Sequence, residues 1–415
     1  MPELLSPAGN FEKMVAALHY GADAVYLAGH MFGMRSAADN FSDEELYDAA
    51  RYVHERGKKL YITVNTMPHA HEYPMLCRYF ETLREVRPDA LIVSDLGVFA
   101  TAQRLLPDVE LHISTQASIV SPEAAKAYAS LGATRLVLAR ELTLSEIRMI
   151  RDALPPSVEL ETFIHGSMCV SYSGRCLLSN SLTGRDANRG ACTQPCRWNY
   201  KIVEEKRPDE PYPIEEYDHG TFIMSSKDMC TISIVPEMIA AGIDSFKIEG
   251  RMKSAYYTAV VTNAYRMAID AYLADPVSYV PDPMWLRELE SVSHRDYATG
   301  FYCDEPSHEA QIASHTGYNR EKAYFATALE TATLPADLQD NENGRLYRFV
   351  QRNKVCVGDT AEVISPHRIG RPFTVTELYA EDGTPLESAP HPAMIFYTRI
   401  PFEVKQGDIM RSGDR

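Results

Sequence analysis

Eight short apolar runs, each followed by a stretch with helical spacing, fill the first 255 or so residues of this chain. The runs fall at 3–8, 24–28, 60–65, 90–95, 111–116, 135–140, 159–165 and 245–250. Each is bounded by turn residues and lacks apolar–polar alternation, as parallel strands covered on both faces do. The helices between them carry readable starts. Ser42 with Glu45 and Thr143 with Glu146 have capping-box spacing, and Ser121 precedes Pro122. An eighth helix at 255–272 completes the count, so the pattern predicts a (β/α)8 TIM-like barrel over 1–280. A doubly wound open sheet shows the same alternation, but no glycine-rich nucleotide fingerprint or P-loop supports it.

In such a barrel the chemistry gathers at the carboxyl ends of the strands. There this chain has Ser6, Asn65, Asp95, Thr115, Gln116, Arg140, His165, Lys247, Glu249 and Arg251. The connection after the seventh strand, about 166–243, far exceeds the few residues usual for a βα loop, which marks it as a functional insert. It holds five of the eight cysteines: Cys169, Cys176, Cys192, Cys196 and Cys230. Residues 281–322 read as a linker or docking segment. From 323 to 415, strand candidates at 324–328, 346–350, 360–364, 373–379, 393–398 and 408–410 alternate with turns such as Asn343-Gly344 and Asp382-Gly383. They predict a small antiparallel β-barrel domain.

The net charge of −16 excludes a protein that coats nucleic acid by bulk electrostatics. The insert differs locally: from His165 to Arg207 there are seven Lys/Arg against three Asp/Glu. No signal peptide or membrane-length apolar run is visible, which leads us to expect a cytoplasmic protein whose thiols stay reduced. A disulfide scaffold is then a poor reading of the cysteines. Structural zinc usually shows two closely spaced ligand pairs, which are missing here. A 4Fe-4S iron–sulfur cluster needs four thiolates and tolerates irregular spacing, so the insert is expected to hold one. Cys77, Cys303 and Cys356 lie apart and read as ordinary thiols.

The run Glu161-x-Phe163-x-x-Gly166-Ser167-Met168-Cys169-x4-Gly174-x-Cys176-x-Leu178-Ser179 resembles the signature of the collagenase-like peptidase family U-32. Leu5-Ser6-Pro7-Ala8-Gly9, Ser226-Lys227-Asp228 and the segment from Lys247 to Lys253 are similar to that family as well. The resemblance runs along nearly the whole chain. It implies hydroxylation of tRNA, of ribosomal RNA or of the ubiquinone ring, with an iron–sulfur cluster and, for the RNA-directed members, prephenate as co-substrate. The small C-terminal β-domain and the stretch Asn188–Trp198 suit the tRNA-directed branch, which makes 5-hydroxyuridine at the wobble position. By that resemblance the cluster ligands are Cys169, Cys176, Cys192 and Cys230, with Cys196 as a fifth candidate.

The expected partners are therefore the tRNA anticodon region and a small dicarboxylate, with a paralogous or iron–sulfur-assembly protein as a further partner and no membrane. His165, Glu249 and Lys247 are the candidates for proton transfer, from their types and strand-end positions. Arg175, Arg189, Arg197, Arg251, Lys253 and Gln116 are the candidates for binding the carboxylates or the RNA phosphates. A peptidase is the alternative that the family's name suggests. The chain has neither H-E-x-x-H nor G-x-S-x-G, which leaves only a Cys169 nucleophile with His165 as its base.

Overall fold

The computed structural model describes residues 1–34, 39–169, 171–172, 174–198, 226–303, 319, 321–330, 334–335 and 338–414, with the backbone alone of 216–217 and 220–221. Much of the insert between 199 and 225 therefore lies outside the described residues.

The eight runs form a closed parallel barrel. Its strands are β1 (Glu3–Pro7), β2 (Ala24–Leu27), β3 (Lys59–Val64), β4 (Ala90–Val93), β5 (Glu110–Ile113), β6 (Arg135–Val137), β7 (Glu159–Ser167) and, after a short strand β8 (Asp228–Cys230), β9 (Ser245–Ile248). Each pairs with its neighbour in sequence order, and β9 closes the ring by pairing with both β7 and β1. Helices Phe11–His19 (α1), Asp43–His54 (α2), Tyr73–Val86 (α3), Leu96–Leu105 (α4), Pro122–Ser130 (α5) and Leu144–Asp152 (α6) cover the outside. The expected capping boxes at Ser42 and Thr143 are both formed. The strands' outward residues, among them Val25, Leu60, Ile62 and Phe246, are fully buried beneath these helices.

The inside of the barrel is layered. At the amino ends of the strands Arg135 is held by Glu3 at 2.6 Å, Glu159 at 2.6 Å and Glu161 at 3.1 Å. Above this charged floor lies a compact apolar layer that includes Leu5, Ala24, Tyr61, Ala90 and Ile92. At the carboxyl ends the interior opens into a cavity.

Strand β7 is nine residues long and overshoots the ring. Its last turn pairs antiparallel with β8, Ser167 opposite Asp228 and Cys230 opposite His165. The long insert thus leaves the barrel and returns to it along two adjoining strands. The segment expected at 281–322 is docked on the barrel over its described part, 281–303, while most of 304–320 lies outside the described residues. Helix Pro283–Glu290 packs on the long helix Ala255–Ala274 (α7), and Tyr297–Ala298 pairs parallel to β8.

The C-terminal part is an eight-stranded antiparallel sheet around its own core of Phe349, Phe396, Val363 and neighbours. The single strand expected at 373–379 is instead two, Arg371–Thr374 at one edge of the sheet and Leu378–Ala380 near the other. Val375, fully buried, starts the crossing between them, which local β-propensity does not reveal. This domain is fastened to the barrel's flank. Tyr20 donates to the Ile364 carbonyl at 2.8 Å, and Arg411 reaches Glu288 at 2.7 Å and Glu362 at 2.8 Å. Among the described residues no helix is long and apolar enough to cross a membrane.

Candidate functional site at the barrel mouth

The cavity at the carboxyl ends of the strands measures about 150 Å³. Cys169, Cys176, Cys192 and Cys196 all line it, together with Lys247, Glu249, Arg251 and Gln116 from the strand tips. Two glycines let the insert fold onto this mouth. Gly166 has φ +112°, and a Cβ there would lie 2.6 Å from the Glu249 carbonyl oxygen. Gly174, at φ +74°, would meet the Gln116 carbonyl at 2.7 Å. A side chain at either position would be strained and would push the thiol segment off the barrel.

The four thiols share one electrostatic neighbourhood. Burial pushes the Cys196 thiol above its ordinary value; Arg197 opposes this, and Cys169, Cys192 and Cys176 add to it. Cys192 Sγ also accepts from the backbone N–H of Gln194 at 3.3 Å. Cys230 is elsewhere. It is buried on β8, receives the Tyr265 hydroxyl at 3.9 Å, and burial pushes its thiol up to about 11. It does not line the cavity, so the structure brings the fifth candidate, Cys196, to the other three and leaves Cys230 out. Among the described residues, no three His, Cys, Asp or Glu side chains are drawn together as a single metal ion would require.

Lys247 projects from β9 into the cavity wall. Its Nζ lies 2.7 Å from Glu161 Oε1, 4.3 Å from the centre of the Tyr26 ring and 5.6 Å from that of Phe163. Burial lowers the lysine's pKa, with Glu161 opposing. For Glu161 burial acts upward, but Lys247 and Arg135 outweigh it and hold the carboxyl below its usual range. The Glu161 carboxylate therefore stays ionised, and the pair connects the charged floor to the cavity.

His165 does not reach the cavity. Between Phe163 and His165 the register against β9 slips by one residue, Lys247 facing Phe163 and Ile248 facing His165. This bulge turns the imidazole outward, where it packs against Tyr257, Tyr265 and Tyr297. Its Nδ1 lies 3.4 Å from the Tyr265 hydroxyl and its Nε2 3.5 Å from that of Tyr297. Burial drives its pKa down to about 3, so the ring is neutral at physiological pH. A simple two-residue alternation along β7 points His165 inward; the bulge is invisible to it.

Several basic candidates are committed to the protein itself. Arg189 forms a two-pronged pair with Glu72, at 3.0 and 2.8 Å, which ties the insert to the loop after β3. Hydrogen bonding from Arg189 is the main reason the Glu72 carboxyl falls to about 2. Arg251 lines the cavity but donates to Thr63 Oγ1, the Met34 carbonyl and Asn40 Oδ1. Lys253 donates to the Ser293 carbonyl at 2.9 Å, away from the cavity. Arg175 is exposed on the insert, and Arg197 donates to Gln194 at 2.8 Å. Of the other strand-end residues, Ser6 bonds Thr262 of α7 at 2.8 Å and Asp95 caps α4, so neither faces the site.

Arg140 and Asn65 do line the cavity, as their strand-end positions suggest. Asn188, which opens the stretch to Trp198, also lines it, as do Tyr26, Ser114 and Tyr172, which nothing in their local sequence distinguishes. Gln116 Oε1 is buried there with no hydrogen-bond partner among the described residues.

The family model described as Peptidase family U32 matches residues 9–312, and that of its C-terminal domain matches 336–411. The chain belongs to peptidase family U32. It is 39% identical over 412 residues to the tRNA hydroxylation protein P1 of Bacillus subtilis, covering 99% of this chain and 95% of that protein. To the tRNA hydroxylation protein P of Escherichia coli it is 34% identical, covering 97% and 95%. It is also 32% identical to a protein of Porphyromonas gingivalis named collagenase, covering 79% and 80%.

Proposed function

We propose that this chain is an RNA-modifying enzyme that hydroxylates carbon 5 of the wobble uridine in tRNA, with a 4Fe-4S cluster as cofactor and prephenate as co-substrate. The observation that carries the reading is the convergence of four thiols with Lys247 and Arg140 on one cavity at the barrel mouth. Two relatives similar over nearly their full length are named for tRNA hydroxylation. In this reading Cys169, Cys176, Cys192 and Cys196 hold the cluster, and Cys230 is a buried structural thiol.

The donor set fits a cluster better than a single ion. Tetrahedral zinc with Zn–S bonds of about 2.3 Å draws its four sulfurs to within ~3.8 Å of one another. A cubane needs four thiolates, each on a separate iron, and tolerates irregular spacing, which suits Cys169, Cys176, Cys192 and Cys196 on one cavity. When bound, a cluster with a thiolate on every iron would supply one-electron transfer beside the substrate.

The chain's own residues do the rest. The Lys247 ammonium, fixed by Glu161 and flanked by Tyr26 and Phe163, offers a preorganised charge to a carboxylate. Arg140 adds a second cation on the same wall, and Ile92, Val137 and Phe163 give that wall apolar surface for a ring. Glu249 is the carboxylate in position to accept a proton from the reacting base. A base reaches such a cavity only when unpaired, which suits an anticodon loop. Arg175, exposed on the insert, suits contact with its phosphates, and Arg197 adds a second positive charge there. The setting is cytoplasmic, where the thiols stay reduced.

The test is genetic and chemical. Deleting the gene removes 5-hydroxyuridine derivatives from digested tRNA, read by mass spectrometry, and the intact gene restores them. Unchanged tRNA with a loss of hydroxylated ribosomal RNA or of ubiquinone would reassign the substrate. The peptidase alternative has less support, because His165 is neutral, outward-facing and bonded to tyrosines rather than beside a cavity thiol.

A further inference from the structure

The chain just before Cys169 is gripped by side chains from three separate parts of the fold. Arg140, from the tip of β6, donates to the Ser167 carbonyl at 2.8 Å. Ser226, where the insert re-enters the barrel, donates to the Met168 carbonyl at 2.9 Å. Arg295, from the segment between the two domains, reaches the same Met168 carbonyl at 3.4 Å. Met168 is itself buried, while Cys169, the next residue, is exposed at the cavity. The grip therefore ends where the thiols begin.

Arg295 is held firmly for this purpose. Its Nε and Nη2 lie 2.9 and 2.7 Å from Asp228 Oδ1, and its backbone N–H donates to Asp228 Oδ2 at 3.1 Å. Both partners are nearly sealed from solvent, with side chains 4% and 3% exposed. A brace for β8 alone would require only the contact with Asp228. The guanidinium does more: Nη2, which bonds Asp228 Oδ1, also reaches the carbonyl before Cys169.

We propose that Arg295, locked by Asp228, is a positioning residue for Cys169: the interdomain segment reaches back to fix where the first thiol of the insert enters the cavity. This rests on the reading of Cys169 as a cluster ligand. It adds that a residue outside the insert, with no contact to the cavity, sets the geometry of the site. Asp228 and Ser226 act with it, as the counter-charge and the second donor to Met168.

The diagnostic variant is Arg295→Lys, which keeps a charge opposite Asp228 but lacks the planar guanidinium whose Nη2 bridges Asp228 and the Met168 carbonyl. Ser226→Ala, a milder change, removes the other donor to Met168. Full-length proteins purified without oxygen are compared by iron and sulfide per chain, by the electron paramagnetic resonance spectrum after reduction, and by hydrogen exchange of peptides spanning 167–176. Both variants are expected to melt within a few degrees of the wild type. Arg295→Lys should lose iron several-fold, shift the spectrum and exchange about tenfold faster across 167–176; Ser226→Ala should move in the same direction by less.

Wild-type iron content, spectrum and exchange in both variants would overturn the proposal while leaving the cluster reading intact. A wild-type protein that holds no iron would refute the cluster reading instead. The exchange data would then still decide whether Arg295 fixes the segment, because unaltered protection in both variants refutes the positioning role.

Discussion

The floor and the mouth of this barrel are built from similar residues used in opposite ways. On the floor, the Arg135 guanidinium is surrounded by three carboxylates, Glu3, Glu159 and Glu161, and has no donor left for a ligand. At the mouth, Lys247 shares that network through Glu161 yet faces open space beside four thiols. The difference shows where the molecule keeps rigidity and where it keeps unused bonding capacity. A charge neutralised by protein on every side serves the fold; one held from behind and open in front is available to a ligand.

The strongest test of this contrast removes the hub of the floor. Arg135→Met should cost about 3–5 kcal/mol, because it leaves the largely buried Glu3 without its counter-charge and Glu161 with Lys247 alone. Urea denaturation measures it, and a loss below about 1 kcal/mol would mean the floor is not built around Arg135. At the mouth the effect should fall on chemistry instead. Cys169→Ala, Cys176→Ala, Cys192→Ala or Cys196→Ala should each lower tRNA hydroxylation by roughly a hundredfold, equivalent to about 2.7 kcal/mol, with most of the iron lost. Cys230→Ala should keep its iron. The reverse result for Cys196 and Cys230 would restore the ligand set that resemblance implied.

The outward face of β7 gives a pH signature. His165 is neutral down to about pH 3 when folded, whereas the unfolded chain takes up a proton near the ordinary histidine value. The unfolded state therefore binds more protons below about pH 6.5, and stability falls as pH falls, by up to about 1.4 kcal/mol per unit. Denaturation at pH 7.5 and 5.5 should show a slope that His165→Gln flattens. The smallest effect belongs to the tether of the insert. Glu72→Gln weakens the pair with Arg189, an arrangement near the surface that contributes about 0.2–1 kcal/mol. It should raise the KM for tRNA two- to threefold with kcat nearly constant; an unchanged KM would mean Arg189 does not shape the mouth.

Much of this was readable in the chain. The eight strands lie within a residue or a few of where apolar runs and turn residues put them, and Ser42 and Thr143 cap as their spacing predicts. The strand-end rule brought Lys247, Glu249, Arg140 and Gln116 to the cavity wall correctly. It failed for His165, because one bulged residue inverts the facing of everything beyond it. It also failed for Ser6 and Asp95, which satisfy neighbouring backbone and helix. Tyr26 and Ser114 carried no local signal, since a side chain inside a barrel looks like any core or loop residue until the ring closes.

The sequence by itself determined the barrel, the position of the overlong insert and the residue types available for chemistry. Those follow from periodicity, and periodicity is a local property of the chain. Only the tertiary structure decided which four thiols share a wall, which cations are already occupied, and that Arg295 reaches the residue before Cys169 from 127 positions further along the chain. Such pairings depend on register, bulges and the closure of the ring, and the partners that fix them are distant in sequence.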